Sequence, residues 1–564
     1  MIFRLTLMCP APDNNIAALL SLVKPPIADK LVPEANAELF DRQSTEQWIE
    51  TLSTTNFAIN AIQLYRVLPS VTQLDNQPQI KMQILDSLMP TVLRSIEALV
   101  QNQLNQDTAK AISLGQALAK RLFEGYKLVI FQLGHTLKSE SENNLEEEAA
   151  VLDIAKTILN ACTLLSKIQL NSLSHYLQQP AYFWRELHTL YLLAERLGVA
   201  SKDLSNSLGF DTSIKDVYIK LLLFSCTRPN HFSHYEMRFV YRELEFWSSF
   251  ADIHRGGKSG LFTVDPSSNH GAVYTDECEK HHGIITLDTS NLVRFLNSLI
   301  ADSSNTLFSD RVSQRVIKDL IKQWGKKIKR QETHIKDHAQ LSVTHGLTSA
   351  VCMLSRTDCF EKFLRLCGQT SPRKEHVNSG LRREEDAWGT IFETLNGHPD
   401  DPIIFTPTDK KNNRLEVVYG VRSNVSLSGA CIELANKTVQ PQPGEIIAIR
   451  SKGDNQWMAG IVRWKHISPS LNTICGVQFP ARYCTPAAIR ITPRGPNSDC
   501  QFLQSIILSK TSDLSEGVTL LCPPLRYTEG CKIFIVTPVK NSTALLGEEL
   551  ETTEHLSHFK ITFY

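Results

Sequence analysis

A change in hydrophobic period along the chain is the feature that most constrains its fold. Between Thr45 and Leu223, apolar residues recur every three or four positions, which is the period of amphipathic helices. After His334 they fall into short runs of β-branched and aromatic residues separated by turn residues, a pattern typical of strands. The sequence therefore predicts an α+β multidomain protein, in which an N-terminal α-helical array precedes an antiparallel β-barrel and a C-terminal β module.

Chain length and the breaks in this pattern predict several domains. A chain of 564 residues exceeds what one hydrophobic core usually holds, so about three to four domains are expected. The breaks place an α-helical domain at residues 1–225 and a mixed α/β region at 226–325. The β-barrel then occupies 326–495, with an insertion near 356–413, and the C-terminal β module takes 496–564.

Composition favours a cytoplasmic protein that does not bind a nucleic acid polymer. The 59 lysines and arginines are balanced by 59 aspartates and glutamates, so the chain lacks the global basic field that drives non-specific DNA binding. Its 13 cysteines are scattered, which indicates reduced thiols and no disulfide framework. The opening stretch is too polar for a secretory signal. The longest apolar windows fall short of the roughly 20 residues that span a bilayer, so no membrane span is expected.

Motifs for catalysis and metal binding are weak or missing in the sequence. The stretch Gly256–Gly260 looks like part of a phosphate-binding loop, but Asp252 stands where the first glycine of that loop is needed. Cys278, His281 and His282 are not followed by a second ligand pair at zinc spacing. No nucleophile elbow, paired-carboxylate signature or dinucleotide-binding glycine loop occurs. These observations favour a non-enzymatic protein without a metal site.

The stretch Val421–Asn436, VRSNVSLSGACIELAN, has the composition of a strand with an unusual interruption. Asn424, Ser426 and Ser428 are short polar residues, and they are followed by Gly429. Asn, Ser and Gly are common in turns, so the interruption can be a bulge or a corner of a barrel. The same residues suit a place where a ligand approaches the backbone closely. Both interpretations stay open at this point.

Four pieces of sequence occur here in the order in which they occur in the PilZ domain. Asn424, Ser426 and Gly429 match the motif (Asp/Asn)-x-Ser-x-x-Gly, and PGEIIAIRS, WMAGIVRWKH and NTICGVQF follow. The region from Arg414 to Ile491 therefore resembles the PilZ domain, a bacterial β-barrel receptor for cyclic di-GMP. The layout of the whole chain is similar, more loosely, to large PilZ-type proteins of β-proteobacteria. The resemblance implies a PilZ-like antiparallel β-barrel.

The family carries a second motif, Arg-x-x-x-Arg, ahead of its first barrel strand, and here the sequence departs from the pattern. At the start of RLEVVYGV, only Lys410 and Arg414 have the spacing of the motif, with lysine in the first position. If QLSVTHGLTSAV is the first strand instead, Arg330 and His334 have the spacing of the motif, with histidine in the second position. We prefer this alignment because the strand follows the basic segment at once. Histidine lacks the planar fork and the permanent charge of arginine.

The resemblance also implies which residues contact the ligand. Guanidinium groups pair with phosphate oxygens and with the O6/N7 edge of guanine. Short polar side chains on the opposite wall can reach a guanine or sugar edge without filling the space. The predicted residues that bind cyclic di-GMP are Arg330, His334, Arg414, Arg422, Asn424, Ser426 and Gly429.

These inferences combine into a prediction of function. We expect a signalling effector that binds cyclic di-GMP and relays it to an unidentified protein partner through its helical half, with a role in pili or motility implied only by the resemblance. The alternative is a protein–protein interaction adaptor whose degenerate barrel no longer binds nucleotide. Binding of single-stranded nucleic acid is a weaker alternative, because Trp457, Trp464 and Phe479 are too few and too spread for a stacking platform.

Overall fold

The computed structural model of the chain describes residues 16–25, 41–53, 55–74, 77–101, 108–137, 144–255, 260–278, 283–301, 311–328, 332–369, 415–435, 440–491, 501–509, 517–524 and 529–564. Helices dominate the N-terminal half of these residues, and antiparallel strands dominate the C-terminal half. The predicted α+β multidomain architecture is thereby confirmed. The insertion predicted near 356–413 lies outside the described residues from position 370 onward.

The helices that open the chain are amphipathic and share one core. Side-chain caps set where some of them begin: the Asp41 carboxylate accepts from the Ser44 N–H, and Ser233 and Glu236 form a reciprocal capping box. Their apolar faces form a continuous buried cluster. These helices are α1 (Ile16–Val23), α2 (Arg42–Glu50), α3 (Phe57–Gln73), α4 (Pro78–Gln101), α5 (Thr108–Thr136), α6 (Asn144–Ser174), α7 (Phe183–Arg196), α8 (Ile214–Cys226) and α9 (His234–Trp247).

A small antiparallel sheet and two further helices follow. The hairpin β1 (Leu204–Ser205) and β2 (Asp211–Thr212) lies between α7 and α8. The sheet has the strand order β3-β6-β4-β5. Its buried residues Phe262, Val264, Ile285 and Leu287 belong to the same cluster as the helices. The elements are β3 (Asp252–Arg255), β4 (Phe262–Val264), β5 (Val273–Tyr274), β6 (Ile285–Asp288), α10 (Ser290–Ala301) and α11 (Arg311–Gly325).

A seven-stranded sheet contains the stretch that the sequence singled out. Its strands lie in the order β10-β13-β12-β11-β8-β9-β7, and β10 also pairs with β9. That additional pairing connects β10, at one end of the sheet, to β9, which lies next to the other end, as closure of a barrel requires. The strands are β7 (Ile335–Lys336), β8 (Gln340–His345), β9 (Val418–Val425), β10 (Gly429–Leu434), β11 (Ile446–Ser451), β12 (Met458–Ile467) and β13 (Thr473–Gln478).

The C-terminal strands form a closed barrel of their own, in the order β14-β15-β16-β19-β18-β17. Inward-facing residues such as Ile489, Ile507 and Phe559 fill its interior. Sequence patterning assigned β14 to the preceding region, but β14 pairs with β15 and β17. The strands are β14 (Tyr483–Ile491), β15 (Leu503–Ser509), β16 (Thr519–Cys522), β17 (Lys532–Val536), β18 (Asn541–Thr552) and β19 (Ser557–Phe563).

One predicted strand, QLSVTHGLTSAV, divides into a strand and a helix. Strand β8 ends at His345, and Gly346 follows with φ of 86°, a conformation that favours glycine. Helix α12 (Leu347–Ser355) starts there, and α13 (Phe360–Leu366) follows. The prediction failed because a short apolar run can be either strand or helix when periodicity alone is considered.

The chain divides into two compact units. The first consists of Met1–Asp337, Ser423–Gly444 and Val462–Gly476, and the second consists of His338–Arg422, Glu445–Ile461 and Val477–Tyr564. In the second unit, α12 packs against β11, β14 and β15, and α13 packs against α12, around one apolar cluster.

One helical segment among the described residues, Glu147–Ser174, is long and apolar enough to cross a bilayer by length and composition. It forms most of α6, and 67% of its most apolar window is buried within the protein. Burial of this extent is typical of a core helix.

Candidate functional site

The interrupted stretch forms a tight connection between two antiparallel strands. Strand β9 ends at Val425 and β10 begins at Gly429. The Ser426 N–H donates to the Gly429 carbonyl oxygen at 2.8 Å, and the Ser426 hydroxyl lies 3.4 Å from the same oxygen. The interpretation of the interruption as a corner of a barrel is therefore confirmed, because these polar residues close a turn. The approach of a ligand to the same residues stays a prediction. The motif places Asn424 at the end of one strand and Gly429 at the start of the next.

The segment that follows the basic residues 326–330 lies against this wall. Strand β7 pairs antiparallel with β9, with Ile335 opposite Val425 and Lys336 opposite Asn424. The Asp337 N–H donates to the Ser423 carbonyl oxygen at 3.2 Å and extends the ladder by one residue. The chain directly after the predicted cationic segment is thus held beside the wall that carries Asn424 and Ser426.

Strand alternation places several polar side chains on one side of this ladder. Because successive side chains point to opposite faces, His334 and Lys336 share a side with Asn424, which lies opposite Lys336. The His334 Nδ1 atom lies 3.3 Å from the Asn424 amide oxygen. That oxygen can only accept, so the imidazole N–H donates in this contact. Two residues predicted from different parts of the sequence are therefore brought together.

A carboxylate occupies the turn. The Ser428 N–H donates to Glu332 Oε2 at 3.2 Å. Hydrogen bonds from the Ser426 and Ser428 hydroxyls, and then from the Ser428 N–H, lower the pKa of the Glu332 carboxyl below its ordinary value. The turn therefore presents a set of donors that stabilises a negative charge.

The remaining predicted residues divide into two groups. Arg422 lies in β9 two positions before Asn424, and its N–H donates to the Ala339 carbonyl oxygen at 2.9 Å. Arg330 and Arg414 lie outside the described residues.

Sequence reasoning missed three residues at this site: Glu332, Lys336 and Ser428. Lys336 is exposed and lies directly opposite Asn424. Two ladder residues are too few to show an alternating pattern in the sequence. The spacing of Glu332, His334 and Lys336 by two positions was the available signal, and it indicates a shared face once the segment is known to be extended.

Two other pieces of the resemblance serve packing. The indole of Trp464 in β12 lies against Gly476 in β13, where a Cβ atom would collide with the ring. Lys465 is 1% exposed, and its Nζ lies 4.8 Å from the centre of the Tyr176 ring. Among the residues that the structure describes, no three His, Cys, Asp or Glu side chains are grouped so that they could hold a metal ion.

Comparison with known proteins identifies the family. The family described as "Cyclic-di-GMP receptor FimW, N-terminal domain" matches residues 43–258. The family described as "Cyclic-di-GMP receptor FimW, middle PilZ domain" matches residues 261–486. A relative from Pseudomonas aeruginosa, "Cyclic-di-GMP receptor FimW", is 23% identical over 91% of this chain and 89% of its own length. No solved structure matches the chain. The chain therefore belongs to the FimW family, with its N-terminal domain followed by its middle PilZ domain.

Proposed function

We propose that this protein is a non-enzymatic, cytoplasmic receptor for cyclic di-GMP. The ligand binds at the β7–β9 ladder and the β9–β10 turn. The observation that carries the proposal is the pairing of Lys336 with Asn424, which holds cationic and amide side chains on one side of a barrel wall. Membership of a family whose named member is a cyclic di-GMP receptor supports the same ligand.

The chemistry of the ligand fits this arrangement. Cyclic di-GMP carries two phosphates, whose oxygens accept hydrogen bonds and attract cations. Lys336 and His334 supply nitrogen donors beside the ladder, and the proposed Arg330 and Arg422 guanidinium groups add charge. Asn424 and Ser426 offer short polar groups to a guanine or sugar edge. Arg414 and Gly429 remain part of the proposed site on the resemblance alone.

A relay to the helical half is part of the proposal. At the end of β12, the Ile467 N–H donates to the Tyr176 carbonyl oxygen at 2.8 Å. Tyr176 follows α6, has φ of 57°, and donates its hydroxyl to the Phe232 carbonyl oxygen at 3.0 Å. A non-glycine residue in the left-handed region is held there by its surroundings. This junction connects a barrel strand to the helices that would carry the signal to a protein partner, with a role in pili or motility.

The proposed receptor consists of the four domains predicted from the sequence. We propose an α-helical domain at 1–225, a mixed region at 226–325, a PilZ-like barrel predicted at 326–495 and a C-terminal module predicted at 496–564. The boundary between the last two is moved ahead of β14, because β14 pairs with strands of the C-terminal barrel. Limited proteolysis of the purified chain tests these boundaries, because cleavage is expected to concentrate near them.

Calorimetric titration with cyclic di-GMP tests the proposed ligand. The unaltered chain is expected to bind, and Lys336→Ala is expected to weaken binding by roughly tenfold or more, because a charge-assisted hydrogen bond contributes about 1.5–3 kcal/mol. Lys318→Ala is the matched control, since Lys318 is an exposed lysine in α11.

Two results of that titration contradict the proposal. Absence of binding by the unaltered chain at tens of micromolar ligand favours the adaptor without a nucleotide site. Equal loss of affinity in Lys336→Ala and Lys318→Ala means that overall charge, and not this ladder, attracts the ligand.

A further inference from the structure

The β9–β10 turn is already occupied by an anionic group of the chain itself. Glu332 Oε2 accepts the Ser428 N–H at 3.2 Å. Glu332 lies two residues before His334, whose ring contacts Asn424. The carboxylate is thus placed among the same polar groups that the proposed function assigns to the ligand.

The donors of the turn suit the acceptor atoms of cyclic di-GMP. A backbone N–H and two serine hydroxyls can bind a phosphate oxygen or the guanine O6, because all of these atoms accept hydrogen bonds. These donors cannot make all of their hydrogen bonds to such a ligand atom and to the Glu332 carboxylate at the same time. The position of Glu332 therefore makes ligand binding an exchange of one acceptor for another.

The charge of Glu332 opposes the ligand as well. Residues 330–336, RQETHIK, contain Glu332 as their one acidic residue. Its negative charge interacts with His334 and offsets part of the attraction that the cationic groups of this segment exert on phosphate. The lowered pKa of the Glu332 carboxyl keeps it ionised at neutral pH.

We infer that Glu332 is an internal competitor of the ligand, which cyclic di-GMP must displace from the β9–β10 turn to bind. The inference rests on the proposed function. Displacement moves the segment that leads into β7, so the occupied and empty states differ in where residues 332–334 lie. A ligand with different contacts in two such states shifts the balance between them.

Replacement of the carboxylate tests the inference. Glu332→Ala, which removes both the acceptor and the charge, is expected to bind cyclic di-GMP at least fivefold more tightly than the unaltered chain in calorimetric titration. Glu332→Gln loses the charge but keeps an oxygen that can accept the Ser428 N–H, so it is expected to gain less affinity. Glu361→Gln, which neutralises an exposed glutamate in α13, is the matched control and is expected to leave the affinity unchanged. Thermal melting of each variant verifies that it is folded.

Three results decide the matter. Unchanged affinity in folded Glu332→Ala overturns the competitor and leaves the receptor standing. Weaker binding in both variants also overturns it, because it assigns Glu332 to direct contact with the ligand, for example with the guanine N–H groups. No binding by any variant, including Glu332→Gln, rejects the receptor itself and the competitor with it.

A charge-conserving variant separates occupation of the turn from repulsion at a distance. Glu332→Asp keeps the negative charge but shortens the side chain by one methylene group, so the carboxylate no longer reaches the Ser428 N–H. Tighter binding by Glu332→Asp is expected if the contact must be broken. Affinity equal to that of the unaltered chain would show that charge alone matters and would overturn displacement.

Discussion

At the scale of single residues, the pieces of sequence that carry the family resemblance differ in their surroundings. Trp464 and Gly476 lie on adjacent strands, and the indole fills the space that a side chain at position 476 would need. Asn424, in contrast, makes an exposed polar contact with His334. Resemblance to a family motif therefore does not by itself distinguish residues that stabilise the barrel from residues that contact a ligand.

Substitution of Gly476 by alanine is expected to destabilise the protein by about 1–3 kcal/mol, because the new Cβ forces the Trp464 ring to move within a packed site. Gly115→Ala is the matched control. Gly115 lies inside α5, and a Cβ there meets only Ile96 at 3.6 Å, which is an ordinary contact. This control is expected to be neutral or to stabilise by up to about 1 kcal/mol. Urea denaturation measures both, and equal midpoints would contradict the packing role.

At the scale of secondary-structure elements, the short strand β7 organises the candidate site. It contributes two residues to the ladder, yet it places Lys336 and His334 beside the end of β9. Beyond the strand pair, a backbone hydrogen bond from the Asp337 N–H to the Ser423 carbonyl oxygen adjoins β7. Ligand binding should therefore depend on backbone pairing as well as on side chains.

Asp337→Pro is expected to weaken cyclic di-GMP binding by roughly tenfold, because proline removes the N–H that pairs with Ser423. The melting temperature should change little, since β7 contributes only exposed residues. Asp337→Ala keeps the N–H and controls for loss of the carboxylate. If both variants bind alike, the ladder beyond Lys336 has no part in the site.

The sequence alone predicted the strands of the barrel better than the connections between them. Strands β10 to β13 follow clear runs of β-formers, whereas β7 has two residues and β14 carries Pro486 with two alanines, so neither stands out. His334 and Asn424 were predicted together through the family motif. Glu332 was not, because its contact joins residues 96 positions apart, and such a separation leaves no local pattern.

At the scale of the whole molecule, buried histidines make stability depend on pH. Burial lowers the pKa of His188, of His175 and of His231 to about 4 in each case. His188 is fully buried, donates from Nε2 to the His270 carbonyl oxygen and accepts at Nδ1 from the Tyr218 hydroxyl. Between about pH 4 and the ordinary pKa of 6.5, the unfolded chain binds protons that the folded chain excludes.

The contribution of these histidines to the free energy of unfolding is therefore expected to be fully present above pH 6.5. It should decrease as the pH is lowered towards 4. Each such histidine contributes up to about 1.4 kcal/mol per pH unit in this window. Asp86 acts in the opposite direction, because burial raises its pKa to about 6, but one aspartate opposes three histidines. Urea midpoints measured at pH 7.5, 6 and 5 check this. A midpoint that rises on acidification would contradict it.

The burial of α6 has a consequence for any fragment of the chain. This helix packs against α5, α7, α8 and α9, which cover an apolar stretch of bilayer-spanning length. A truncated polypeptide that keeps α6 and loses α8 and α9 would present that stretch to its surroundings, where it resembles a stop-transfer sequence. Such a piece should partition into lipid vesicles, so membrane association seen with partial chains would report exposed packing surface and not a native anchor.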